Sequence, residues 1–204
     1  MRTLVLLALA LPLFAQSYPK HNFTAGVGGA MPGSDLEGQF SNRPDVSFGY
    51  GYRIHENFQL DAGLDVVFGA AGVRDFLETD LGYLRIRDFE YLLPLGGRII
   101  LPVSDGRVLF SVGGGAAYMR YSERLKQVSD YYQYECPYCG SRSGWGYYTL
   151  VGGSVALDRG QRFRVGVTSR LYRGNTDGDA IGYVPALRTH DTWLNVAGEF
   201  TVSF

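Results

Sequence analysis

The chain has 204 residues and a formal net charge of −1, so its length suits one domain and its charge gives no electrostatic basis for a nucleic-acid partner. Charged residues at 19% fall below the usual share, whereas 28 Gly, 15 Tyr and 12 Phe are a heavy load. Disorder and a collagen repeat are thereby excluded, a coiled coil is disfavoured, and the balance points to strands.

Arg2, the apolar run from Leu4 to Phe14 and the small Ala15 predict a secretory signal peptide over residues 1–15, leaving a domain over residues 16–204. The run is too short for a spanning helix, Pro12 would interrupt one, and no later segment approaches the ~20 apolar residues a membrane helix requires. A bilayer role would have to be built from strands. Apolar residues then alternate with small or polar ones in eight segments, roughly 21–31, 45–54, 58–68, 85–101, 107–121, 145–157, 162–172 and 192–204. Most are close to the ~9–11 residues that cross a bilayer as a tilted strand. The connections around His55-Glu-Asn57, Pro102 to Gly106 and Asp158 to Gln161 read as tight turns, and those around 32–44, 69–84, 122–144 and 173–191 as long loops. Short and long alternate, so the spacing predicts an all-β, eight-stranded antiparallel up-and-down barrel with every long loop at one end and both termini at the other.

Alternation also assigns the faces. Val46, Phe48, Tyr50, Tyr52 and Ile54 share one face of the second segment, Phe58, Leu60, Leu64, Val66 and Phe68 one face of the third, and Leu194, Val196, Phe200, Val202 and Phe204 one face of the last. Segments four to six are less regular. The opposite face carries Arg53, Arg98, Arg164 and Arg170 together with Asp61, Asp65, Glu90 and Glu199, interleaved with glycines such as Gly26, Gly28, Gly63 and Gly113. Small residues suit a crowded lumen, and an eight-stranded barrel is just wide enough to be filled by side chains. The charges are therefore expected inside as an ion-pair network that plugs the barrel, with the apolar face toward lipid and aromatics such as Phe23, Tyr52, Phe58, Phe68, Tyr91, Tyr118 and Tyr147 in girdles at the strand ends. A soluble periplasmic barrel of lipocalin type, with its apolar side inward, is the alternative architecture.

The alternation Leu194-Asn-Val196-Ala-Gly198-Glu-Phe200-Thr-Val202-Ser-Phe204, with Tyr91-Leu-Leu-Pro94-Leu and Phe110-Ser-Val-Gly113-Gly-Gly115-Ala-Ala-Tyr118, resembles the small OmpA/OmpX-like outer-membrane β-barrels of Gram-negative bacteria. That resemblance implies a porin-family, cell-surface protein of the outer membrane, in contact with outer-membrane lipid and lipopolysaccharide. It also implies that Phe200, Val202 and Phe204 form the C-terminal signal read by the barrel-assembly machinery. Nothing follows Phe204, so the peptidoglycan-binding domain of some members is not expected. Pro94 removes a ladder hydrogen bond in mid-strand, and a local bulge is expected there.

Cys136-Pro-Tyr-Cys139 looks like a glutaredoxin motif, yet no thioredoxin-like βαβ pattern surrounds it. In an exported chain whose other residues include no cysteine, a local disulfide between Cys136 and Cys139 is the expected state, with redox or metal roles as alternatives. Gly140 excludes the haem-attachment motif. Gly26-Val-Gly28 and Gly113-Gly-Gly115 lack the third glycine of a dinucleotide loop, and Gly152-Gly-Ser154-Val-Ala156 lacks the last glycine of a nucleophile elbow. Asn175-Thr-Asp177-Gly-Asp179 departs from the calcium-loop pattern and reads as a solvated turn. His21, His55 and His190 have no Ser and acid partner at close spacing. Tyr131, Tyr132, Tyr134 and Tyr138 crowd the longest loop, where tyrosine suits contact surfaces. The expectation is a monomeric, non-enzymatic barrel with no catalytic, metal or cofactor site, acting structurally or by binding an extracellular ligand through its long loops. A lipid-modifying barrel enzyme of acyl-hydrolase type is the other functional alternative.

Overall fold

The computed structural model describes residues 18–37, 40–71, 76–79, 82–126, 135–136, 139–181, 184, 186 and 188–204. Residues 1–15, read as a signal peptide, and the four loop tyrosines lie outside the described residues. The strands are β1 (His21–Ser34), β2 (Arg43–His55), β3 (Phe58–Phe68), β4 (Phe76–Thr79), β5 (Gly82–Val103), β6 (Val108–Leu125), β7 (Ser141–Ala156), β8 (Phe163–Gly178) and β9 (Thr189–Ser203). Each pairs antiparallel with its sequence neighbour, except that β4 pairs only with the start of β5 while β3 bypasses it to pair with the rest of β5. β1 pairs with β9 from Asn22–Ser203 to Ser34–Asp191, so eight strands close into a barrel and β4 is an added flap. Closure leaves no open sheet edge in the wall.

Three tight turns gather at one end. The β5–β6 turn places Ser104, Asp105 and Gly106 at positive φ (54°, 55° and 79°), the left-handed conformation that reverses a chain in few residues. The start of β1 meets the last residue there: His21 N–H donates to the Phe204 carbonyl at 2.8 Å and Phe204 N–H returns the bond at 2.9 Å. The other four connections lie at the opposite, outer end.

The last two of the four predicted long loops are much shorter than the sequence implied. Residues 122–125, 141–144, 173–178 and 189–191 continue β6, β7, β8 and β9 beyond the expected ends, and the Asn175–Asp177 stretch read as a turn is the outer part of β8. Their polar composition hid them, because strands that rise past an apolar layer need no apolar face. Pro94 makes no bulge: register is the same on both sides of it, against β3 and against β6. The ladder to β3 instead omits the pairs that Gly63 and Leu64 would make, since proline has no N–H to give. Gly63 fits this site because a side chain there would press on the Pro94 ring and the Phe48 carbonyl. The irregular register falls between Arg53 and His55, next to the β2–β3 turn.

Candidate functional site

The interior is layered along the barrel axis. Nearest the short turns, Asn22, Gln59, Arg53, Arg98 and Arg164 point inward around a cavity of about 60 Å³. Arg98 Nε donates to Asp61 Oδ2 at 2.6 Å, and Gln59 Nε2 donates to Asp61 Oδ1 at 2.7 Å. One level outward, Arg170 of β8 reaches both Asp65 of β3 at 3.3 Å and Glu199 of β9 at 2.6 Å. Tyr172 Oη donates to Asp65 at 2.7 Å and Thr168 Oγ1 to Glu199 at 2.7 Å, so each buried carboxylate has a cation and a neutral donor. Asp45 is buried nearby, with neither carboxylate oxygen hydrogen-bonded.

Five of the eight charges assigned to the lumen are thus joined by ion pairs. The other three stand apart from them. Arg53 lies over the Tyr18 ring at 5.9 Å, Arg164 Nη2 donates to the Gly106 carbonyl at 2.5 Å, and Glu90 lies further out in the electrostatic range of Asp191 and Arg142. Alternation fixed which way these side chains point; it carries no information on which cation meets which carboxylate across strands far apart in sequence.

The outer half of the lumen is filled differently. Leu92, Met119, Tyr121, Tyr148, Leu150, Tyr172 and Trp193 are buried there, with Leu36, Phe40, Ile181 and Val184 folding over them from the first and last outer connections. The Phe40 ring meets Tyr121 and Trp193 edge-on at centroid distances of 5.3 and 5.7 Å. Above this apolar cap, Arg142 Nη2 donates to Thr189 Oγ1 at 2.8 Å and to the Thr176 carbonyl at 3.1 Å, and Thr189 and Thr176 both donate to Asp191. Sequence reasoning missed the cap because its members sit at the positions assigned to a polar face; the irregularity of segments four to six was its only trace.

The outer wall is apolar between two aromatic girdles. Phe23, Tyr50, Tyr52, Phe58 and Phe204 face outward near the short turns, with Phe204 stacked on Phe23 at 5.6 Å. Phe68, Phe89, Tyr91, Tyr118, Trp145 and Tyr147 face outward at the other end, with Phe68 against Phe89 and Tyr118 against Trp145. From Phe58 to Phe68 the chain rises ~33 Å along β3, about 25 Å of height at a barrel strand's tilt, the depth of a bilayer's hydrocarbon. Between the girdles Val27, Leu95, Val151 and Val167 are 57–68% exposed. Phe200 and Val202 lie on this same outer wall.

Beyond the outer girdle, Arg85, Arg87, Arg120, Arg124, Lys126 and Arg173 are exposed on the outward side of β5, β6 and β8. Arg87 and Arg124 are direct cross-strand partners, and Arg124 also covers the Tyr91 ring at 5.8 Å. Cys136 and Cys139 form a disulfide that packs with Leu77 against Leu84, Ile86 and Leu125. The histidines are scattered: His21 and His55 flank the short turns, whereas His190 is at the outer end, its backbone N–H donating to Asp35. Among the described residues no group of three or more His, Cys, Asp or Glu is placed to hold a metal ion. Ser154 lies within β7, on the wall of the inner cavity.

An apolar outer wall, aromatic girdles and charges turned inward on a closed eight-stranded sheet together decide the architecture. The chain folds as a small outer-membrane β-barrel. Neisserial surface protein A superposes on it with a TM-score of 0.56 at 12% identity, covering 90% of this chain and 97% of that one. The outer membrane protein OprG from Pseudomonas aeruginosa gives 0.48 at 11% identity over 92% and 98% of the two chains. Ail, the attachment invasion locus protein of Yersinia pestis, gives 0.48 at 12% identity over 90% and 99%. Comparison with protein-family models gives no match, and comparison with curated proteins gives none.

Proposed function

We propose that this protein is a monomeric, non-enzymatic outer-membrane barrel of a Gram-negative envelope, acting as a structural and surface-binding protein through its outer end. The observation that carries this reading is the direction of the side chains. A lipocalin-like barrel must turn its apolar face inward, whereas here the middle of the wall exposes valine and leucine and the lumen encloses ion pairs. Water would not tolerate so continuous an apolar belt; lipid requires it. Tyr91 to Gly82 spans roughly 30 Å of strand beyond the girdle, which gives the outer end a projecting stalk for a binding partner.

Lipopolysaccharide phosphates are the lipid partner the outward cations fit. Like charges directly opposite in a sheet are destabilising, so the Arg87–Arg124 pair favours an anion held between them. Membrane fractionation combined with electrophoresis of boiled and unboiled samples tests the reading. The protein is expected in the outer-membrane fraction, with a mobility that shifts on heating. Recovery in the soluble periplasmic fraction would overturn it.

A further inference from the structure

Four arginines enter the inner half of the lumen, and its carboxylates pair with two of them. Asp61 takes Arg98, while Glu199 is engaged by Arg170 and Thr168. Arg164 is 95% buried, with its Nε hydrogen-bonded to nothing and its Nη2 donating only to the carbonyls of Gly106 and Arg107. Arg53 has a buried, unpartnered Nε, and its charge is felt by Arg164 and Arg98 rather than by an acid. The carboxylate acting on Arg164 is Asp158, which sits in the β7–β8 turn with its Oδ1 accepting the Phe163 N–H. Two cations therefore face a polar cavity with no ion pair of their own, since Glu199, the carboxylate on the cavity wall, is held by Arg170 and Thr168. Burying charge in this way is costly unless something neutralises it.

We propose that the inner half of the lumen binds a small oxyanion such as inorganic phosphate, between Arg53 of β2 and Arg164 of β8. The cavity of about 60 Å³ holds roughly four waters, enough for one tetrahedral anion and too little for a nucleotide or a sugar. Asn22, Gln59, Ser111, Ser154 and Thr201 line it and supply neutral donors. Guanidinium groups match phosphate oxygens by paired hydrogen bonds, and the Arg53 and Arg164 side chains both line the cavity. Entry is from the short-turn side. A mouth of about 620 Å³ opens there between Tyr18, Pro102 and Gln161, and Arg53 and Leu109 line both mouth and cavity. The apolar cap closes the other direction, so the ligand is a periplasmic solute rather than an extracellular one.

The test titrates the refolded barrel, in nanodiscs of uncharged lipid and labelled with nitrogen-15 arginine, with inorganic phosphate at constant ionic strength. Saturable shifts of the Arg53 and Arg164 Nε–H resonances are expected, with an unfolding temperature that rises with phosphate. Both responses should vanish in Arg53→Gln and persist in Arg188→Gln, an exposed arginine at the opposite end of the barrel that belongs to neither anion-binding group. Arg53→Gln breaks no hydrogen bond among the described residues, so it keeps the test usable if Arg164→Gln does not fold. No response beyond that to chloride, or one that survives Arg53→Gln, overturns the site. So does a response seen with phosphatidic acid in the bilayer but not with free phosphate, because it would move binding to the outer wall.

Discussion

Arg170 is held between two carboxylates, each with a side chain more buried than its own. Removing it leaves Asp65 and Glu199 without their cation in a low-dielectric interior, and Arg170→Gln is expected to cost ~3–5 kcal/mol in urea unfolding of the refolded protein. The corresponding Arg98→Gln change should cost less, because Arg98 and Asp61 are 18% and 10% exposed and water can compensate. Asp158 gives a prediction on acidity outside the membrane. Hydrogen bonds from the backbone of its turn, chiefly Phe163 N–H, hold its carboxyl below the usual carboxylate value. A depressed folded value means the stabilisation is complete above the unfolded value and is lost as pH falls through the folded one. Asp158 should therefore titrate later than an unstructured aspartate in an NMR acid titration, and the turn should loosen only below that point. At this scale the sequence was informative about direction and silent about partners. Alternation put Asp65, Arg170 and Glu199 on one face, but Asp65 and Arg170 are 105 residues apart and meet only once all the strands between them are in register.

At the scale of the strand, β2 and β3 were legible almost to the residue, because one face is apolar and the other, Val67 aside, is polar or small. Val151 tests that alternation on a less regular strand. It is 57% exposed in the middle of β7, between the girdle residue Tyr147 and the short-turn end. Val151→Arg is expected to destabilise by ~2–4 kcal/mol when the protein is unfolded from bilayers. A change no larger than that of an arginine placed in a short turn would count against a lipid-facing site. β5 and β6 were legible only in part, since they run from a lipid-embedded wall into a water-exposed stalk and change chemistry on the way. Arg85, Arg87, Arg120 and Arg124 interrupt the apolar phase where the wall leaves the girdle. The four-residue β4 carries too few positions for any period to show.

For the molecule as a whole, the fold followed from counting: eight alternating segments and connections alternately short and long leave few architectures besides a closed meander. What fills it did not follow. The inner half is a polar, ion-paired layer, and the outer half a hydrophobic core of the kind found in water-soluble proteins, centred on a fully buried Trp193. Trp193→Ala should cost ~3–5 kcal/mol and lower the temperature at which the compact band is lost on electrophoresis. Opening the Cys136–Cys139 link, which closes a very short loop, should cost only about 2 kcal/mol.

The seam between β1 and β9 governs how such a molecule can be made. Ser203 Oγ donates to Asn22 Oδ1 across 181 residues of chain, and every rung between those strands joins the first staves to the last. A translating ribosome delivers one partner long before the other, so the cylinder cannot shut stave by stave during synthesis. Until β9 arrives, β1 keeps a raw hydrogen-bonding margin that needs shelter, so closure waits for the last strand, with this pair of strands as its latch.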